Sequence, residues 1–214
     1  MYKYNMNIEL PVSLGEAFDK LTILDIKYNK IVDDRKFPVK IEYDLLFDKL
    51  KEHITKYNEL YNSMKKVNLL LWDMMDILRD GAINDELYLK VCKETIIYND
   101  IRFRIKNKIN YIANSFLKEQ KGYKINRLII NLTKQSNIEI INIIKYFSFI
   151  YDEIIIENSN NYLIEYFNYD KTIFFKNCES IEYIKKVIVE NKNYSQEELY
   201  ELFGVTYNEI TNLI

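Results

Sequence analysis

The sequence predicts a mostly α protein with a small α/β part: a three-helix antiparallel bundle, then a β-α-β-α-β half-sheet and a C-terminal helical hairpin. Two observations carry this. From Leu14 to Leu117, apolar residues recur every three or four positions, the period of a helix. After Gly122, short runs rich in Ile and Phe alternate with helical stretches, the pattern of a parallel β-α-β unit. The expected division is a helical bundle domain over 1–125 and a small α/β domain with the hairpin over 126–214.

Met6–Leu10 reads as a short strand stopped by Pro11. Ser13-Leu14-Gly15-Glu16 then reads as a capping box opening the first helix, which runs to about Val32. That helix is apolar on most of its circumference, so it belongs at the centre of the bundle. Asp33, Asp34 and Pro38 mark its end. A long second helix follows from Val39 to Leu78, interrupted or not, and stops at Asp80-Gly81. A third runs from Asp85 to Leu117 with Leu87, Val91, Tyr98, Ile101, Ile105, Ile109, Ile112 and Phe116 on one stripe. Three long helices with short breaks pack antiparallel. Strands are expected at Arg127–Leu132, Glu153–Glu157 and Thr172–Phe175, and helices at Asn137–Phe149, Tyr162–Phe167 and Ser180–Asn191. Two short helices around Gly204 close the chain.

Composition excludes several function classes. Four glycines in 214 residues leave little for phosphate-cradling loops, and one histidine argues against His-based metal sites and catalytic triads. Ile, Lys, Asn, Tyr and Phe make up over half the chain, a skew that matches an A/T-rich genome. The net charge of −2 speaks against a dedicated nucleic-acid binder, although 1–125 carries a net +3 and 126–214 a net −5. Cys92 and Cys178 read as free thiols in a reducing compartment. With no signal-peptide pattern and no spanning apolar run, the expectation is a cytoplasmic protein without metal or cofactor.

Four ordered blocks carry a family resemblance. Ser13-x-Gly15-Glu16-x-x-Asp19-Lys20-x-Thr22-Ile23-Leu24-x-Ile26-Lys27 is the first. Then come Val67-Asn68-x-x-Leu71-Trp72 with Asp76 and Arg79, Asn99-Asp100-x-Arg102 with Ile105, Lys106, Ile109 and Asn110, and Lys118-Glu119-x-Lys121-x-Tyr123. Residues 10–125 resemble an uncharacterised family of small helical bacterial and viral proteins, found alone or beside glycosyltransferase and tetratricopeptide modules. Phe18 and Gln120 depart from the usual pattern. The resemblance implies a helical domain in a glycan-related setting, in a host cytoplasm if the protein is viral, and no established activity.

The candidate ligand-binding residues lie in these blocks. Glu16, Asp19 and Lys20 open the first helix, with Glu16 and Lys20 spaced as an i, i+4 pair. Asn68, Trp72, Asp76 and Arg79 on the second helix, and Asn99, Asp100, Arg102 and Lys106 on the third, are placed to meet them. Such a set either holds a phosphate or sugar or satisfies itself and fixes helix register. Trp72 is core or a stacking platform, and His53 reads as solvated. Arg102, Arg104, Lys106 and Lys108 alternate and so split between two faces; a solvated flank opposite the acidic C-terminal half, helping to dock it, is the expected role, and polyanion binding is the alternative. At the first strand–helix junction Thr133, Lys134, Ser136 and Asn137 offer an N-cap or an anion contact, without the glycines of a dinucleotide site. Residues 196–213 resemble a helix-turn-helix that lacks any Lys or Arg for phosphates. The function expected is a non-catalytic accessory or scaffold protein with a protein partner or a second copy. The alternatives are a sugar-nucleotide-binding or transferase-like protein using the cleft between bundle and half-sheet, and a DNA-binding regulator.

Overall fold

The computed structural model describes residues 9–122, 124–132, 138–176, 183, 185–190 and 193–214. The expected Met6–Leu10 strand falls largely outside them, and Glu9 and Leu10 form none. Helices α1 (Leu14–Lys30), α2 (Lys36–Lys56), α3 (Asn58–Asp80) and α4 (Asp85–Ile112) build the bundle. The mostly α architecture with a small α/β part is what forms, with a four-helix rather than a three-helix bundle. The second expected helix breaks at Tyr57, where φ is −118° and ψ is 36°. Tyr57 N still donates to His53 O at 2.9 Å and Tyr57 O accepts from Tyr61 N at 3.0 Å, so the hydrogen-bond ladder bridges the break.

α1 packs against α2, α3 and α4, which is why it can be apolar on most sides. Ser13 caps it, its Oγ accepting from Glu16 N at 3.2 Å. The return half of the expected capping box is absent, because the Glu16 carboxylate turns to Lys106 instead. α4 ends at Ile112, one turn short of Leu117. Asn114 takes a left-handed φ of 51°, and Ser115 N closes onto Asn110 O at 2.8 Å. Phe116, expected on the buried stripe, is therefore 99% exposed.

Beyond the bundle, β1 (Arg127–Leu132), α5 (Ile138–Ile150), β2 (Glu153–Glu157), α6 (Asn161–Tyr166) and β3 (Ile173–Phe175) follow in the expected alternation. The Ser180–Asn191 helix is not what forms among the described residues: Lys185–Val189 is strand β4, parallel to β1. Val187 and Val189 point inward while Lys186 and Ile188 face out, a two-residue period in a β-branched run that favours a strand. The sheet order is β3-β2-β1-β4, all parallel. Central β1 is accordingly buried at Leu128, Ile129 and Ile130 in one unbroken apolar run. α7 (Gln196–Phe203) and α8 (Tyr207–Leu213) close the fold around Gly204, whose φ is 67°. Both carry capping boxes, Ser195 with Glu198 and Thr206 with Glu209. No helix among the described residues is long and apolar enough to cross a membrane.

Two cores result, one within the bundle and one between the sheet and α5, α7 and α8. Phe149 and Leu213 belong to the bundle core although they come from α5 and α8, and Tyr146 packs against both cores. Burial pushes the Tyr146 phenol up to about 12, with Glu209 adding to the shift. A phenol raised above its ordinary 10.0 contributes stability that is intact below that pH and lost as pH climbs toward 12. Denaturant midpoints should fall across this window and Tyr146→Phe should flatten the fall. An identical fall in the variant would place the loss on other buried phenols such as Tyr61 and Tyr98, both raised by burial.

Candidate functional site

The alternating cations of α4 sort by face. Residues 102 and 106 are one helical turn apart, as are 104 and 108, and the two pairs point to different neighbours.

Lys106 and Arg102 face α1. The Lys106 ammonium lies 2.7 Å from Glu16 Oε1, 2.6 Å from Glu119 Oε2 and 4.0 Å from Asp19 Oδ2. Burial alone would lower this ammonium, and the Glu119, Glu16 and Asp19 carboxylates more than reverse it, holding it above its ordinary range. Asp19 is buried. Its Oδ1 accepts from Asn68 Nδ2 at 2.8 Å and lies 3.6 Å from Arg102 Nε. Asn68 also donates to Thr22 Oγ1 at 2.9 Å. Gly15 lets the helices approach this closely: a Cβ there would lie 2.4 Å from Lys106 O. The freed Gly15 N–H donates to Asn110 Oδ1 at 2.7 Å, and Leu14 N donates to Ser115 Oγ at 3.3 Å. The exposed amides opening α1 are thus satisfied by α4 and the residues just past it.

Of the eleven candidate residues, Glu16, Asp19, Asn68, Arg102 and Lys106 converge and the rest do not. Lys20 pairs with Glu42 at 2.7 Å on the surface, not with Glu16. Asp76 and Arg79 face solvent and lie 3.9 Å from each other, outside the network. Asn99 is exposed, Trp72 is half-buried, and Asp100 turns to Lys121 at 2.7 Å. The converged set is largely satisfied from within: one ammonium sits among three carboxylates, Asn68 joins the Asp19 and Thr22 side chains, and Asn110 holds the Gly15 amide, while Asn110 Nδ2 is buried without an acceptor among the described residues. Glu119 is a member that sequence reasoning placed in a family block but not in the site. The helix must end at Ile112 before the chain can fold back over Lys106.

Arg104 and Lys108 face the α/β part. Arg104 Nε lies 2.7 Å from Asp152 Oδ1, whose other oxygen accepts from Asn126 N at 2.8 Å. Lys108 is buried, 2.6 Å from Asp170 Oδ2 and 2.5 Å from Ser148 Oγ, above the Phe149 ring. Burial pushes its ammonium below the ordinary range, against the pull of Asp170. Ser148 in turn donates to Lys145 O at 2.6 Å, so a seryl nucleophile is not what this contact prepares. The charge alternation was legible in the sequence; the partners Asp152, Ser148 and Asp170 come from three separate elements and were not.

A cleft of about 310 Å³ lies between α4, the segment after it and the α/β part. It is lined by Asp100, Arg104, Asn107 and Lys121 from the first half of the chain, and by Asp152, Glu153 and Thr172 from the second. These latter residues precede or begin β2 and β3, so the cleft opens at the amino ends of the strands. Ligands of doubly wound sheets bind at the other end. Thr133, Lys134, Ser136 and Asn137, the expected anion contacts at that other end, lie outside the described residues, as does Cys178. His53 is exposed, as expected.

Comparison with family models, with curated proteins and with solved structures finds no match.

Lys108→Ala should cost about 3–5 kcal/mol in denaturant unfolding, because Asp170 would be left buried and unpaired. The double variant Lys108→Met with Asp170→Leu should recover most of it. Gly15→Ala should cost about 1–3 kcal/mol by forcing α1 off α4. Arg102→Ala, half-exposed and more distant from Asp19, should cost about 1 kcal/mol or less.

Proposed function

We propose that this protein is a non-catalytic accessory or scaffold protein that works by binding a protein partner or a second copy of itself. One observation carries the reading: α2 buries a single residue of its 21, Leu50, while Phe37, Ile41 and Leu45 form an exposed stripe at i, i+4, i+8 spacing. A soluble helix that spends three large apolar residues on solvent in one line has the form of a docking face. The bundle tip adds Leu89, Ile96 and Ile97 of α4, all more than half exposed. The residues best suited to chemistry support the same reading, because the network around Lys106 and Asp19 has its partners within the protein. The resemblance of residues 10–125 to a small helical family adds the glycan-related setting.

The sugar-nucleotide or transferase reading has the cleft in its favour. Against it, of the six residues that would serve it, Glu16, Asp19, Lys20, Asn99, Asp100 and Arg102, only Asp100 lines that cleft. The DNA-binding reading has no support from α7 and α8, since residues 196–214 contain no Lys or Arg.

Light scattering over a range of concentrations, together with affinity capture from the native host, tests the proposal. A mass above 25.9 kDa or a stoichiometric partner is expected, and Phe37→Ser with Leu45→Ser should abolish it at unchanged melting temperature. A monomer at every concentration that captures nothing defeats the reading.

A further inference from the structure

We propose that the cleft between α4 and the amino ends of β2 and β3 binds a small phosphate monoester. The proposal goes beyond the docking role and does not depend on it.

Charge carries the argument. Every carboxylate that lines the cleft already has a cation. Asp152 has Arg104 and Asp100 has Lys121, at 2.7 Å each, and Glu153 has Arg127 at 2.6 Å. Lys171, on the same lining, has no carboxylate partner among the described residues. Two more lysines stand at the walls in the same condition. The Lys118 ammonium lies 4.4 Å from the centre of the Tyr111 ring and the Lys176 ammonium 5.3 Å from that of Phe174, and both rings line the cleft. A ring face attracts an ammonium without neutralising it. Lys118, Lys171 and Lys176 thus leave three positive charges unmatched. The carbonyl ends of α4 and α5 reach the cleft through Tyr111 and Tyr151 and oppose them with roughly half a charge each, so a surplus of about two remains. A phosphate monoester carries about −1.5 to −2 near pH 7 and balances it.

Donors come with the charge. Arg104 is held in the wall with its side chain 12% exposed, its Nε donating to Asp152 Oδ1. Asp152 is held in turn by Asn126 N through its other oxygen, at 2.8 Å. The guanidinium is therefore fixed before any ligand arrives, and its Nη groups have no acceptor among the described residues. Fixed N–H donors of this kind suit the several oxygens of a phosphate. Lys171, exposed at the rim, adds a point charge on a flexible stem.

Size limits the rest. About 310 Å³ is at the small end of the ~300–1,000 Å³ range of ligand pockets. That is more than a bare phosphate fills and tight for a dinucleotide, so the phosphate comes on a small organic group.

Amide NMR titration of the full chain at constant ionic strength tests this, with α-glycerophosphate, phenyl phosphate, inorganic phosphate and neutral glycerol as probes. At least one ester should give saturable shifts at Gln120, Tyr151 and Thr172, with a millimolar or lower Kd. Inorganic phosphate should bind the same residues more weakly, and glycerol should leave them unmoved. Lys171→Gln should weaken the ester about fivefold, the worth of one charge at contact distance in water. Lys93→Gln removes an equal charge from the exposed surface of α4 and should change nothing. Arg104→Lys keeps a cation beside Asp152, loses the Nη donors and should weaken the ester about tenfold. The proposal is overturned if neither ester gives saturable shifts, if inorganic phosphate binds as tightly as both esters, or if glycerol moves these residues equally. It is also overturned if a folded Lys171→Gln or Arg104→Lys chain binds as the unaltered one does. An equal loss in Lys93→Gln overturns it as well, since that marks attraction to the whole molecule and not to the cleft. Should Arg104→Lys fail to fold, Lys171→Gln decides alone. Association measured by light scattering is independent of all these outcomes, so failure here and failure of the docking role can be told apart.

Discussion

The fold depends on the charged side chains of α4, which face two ways. Lys106 and Arg102 tie the helix to α1, and Arg104 and Lys108 tie it to the α/β part. An ammonium taken out of water is costly unless well-placed partners meet it, and an ill-fitting register would strand it. Each contact therefore acts less as a source of net stability than as a penalty on every other arrangement. Apolar packing between the bundle core and Phe149, Tyr146 and Leu213 supplies attraction without direction. The buried ions supply the direction.

Seen this way, the residues that looked most like chemistry have a mechanical task. Glycine at position 15 brings two backbones together, Asn110 meets the amide that this exposes, and Glu16 and Asp19 close on Lys106. A sequence block that joins Ser, Gly, Glu and Asp within seven residues reads as a site because these are the residue types that sites use. They are also the types needed where a helix N-terminus is buried against another helix.

Much of the architecture was legible in the sequence because it rests on local periods. Three strands, α5, α6 and the two terminal helices follow from runs such as RLIINL and from Gly204. Legibility failed where tertiary contact overrode local pattern. The break at Tyr57 leaves the apolar spacing intact on both sides, so no signal marks it. Lys185–Val189 is too short for its apolar period to separate helix from strand, and its β-branched run and its pairing with β1 make it a strand. Membership of the family-like blocks brought Lys106 and Asp19 together as candidates. It could not tell Asp76 and Arg79, which have the same chemistry, that their side of α3 faces water.

The sheet order has a consequence for how the chain reaches its fold. Helical hairpins such as α3–α4 join neighbours in sequence and can form as soon as they are made. Strand β1 cannot. Its partners are β2, beyond all of α5, and β4, where Leu128 must wait for Lys185. Loop closure over such distances is slow, so the bundle is positioned to assemble first and present Lys108 and Arg104 as a template on which the later sheet is received. Until then RLIINL and EIIIE, the two central strands of the sheet, have no cover. They are the segments through which a slowed or weakened variant would aggregate.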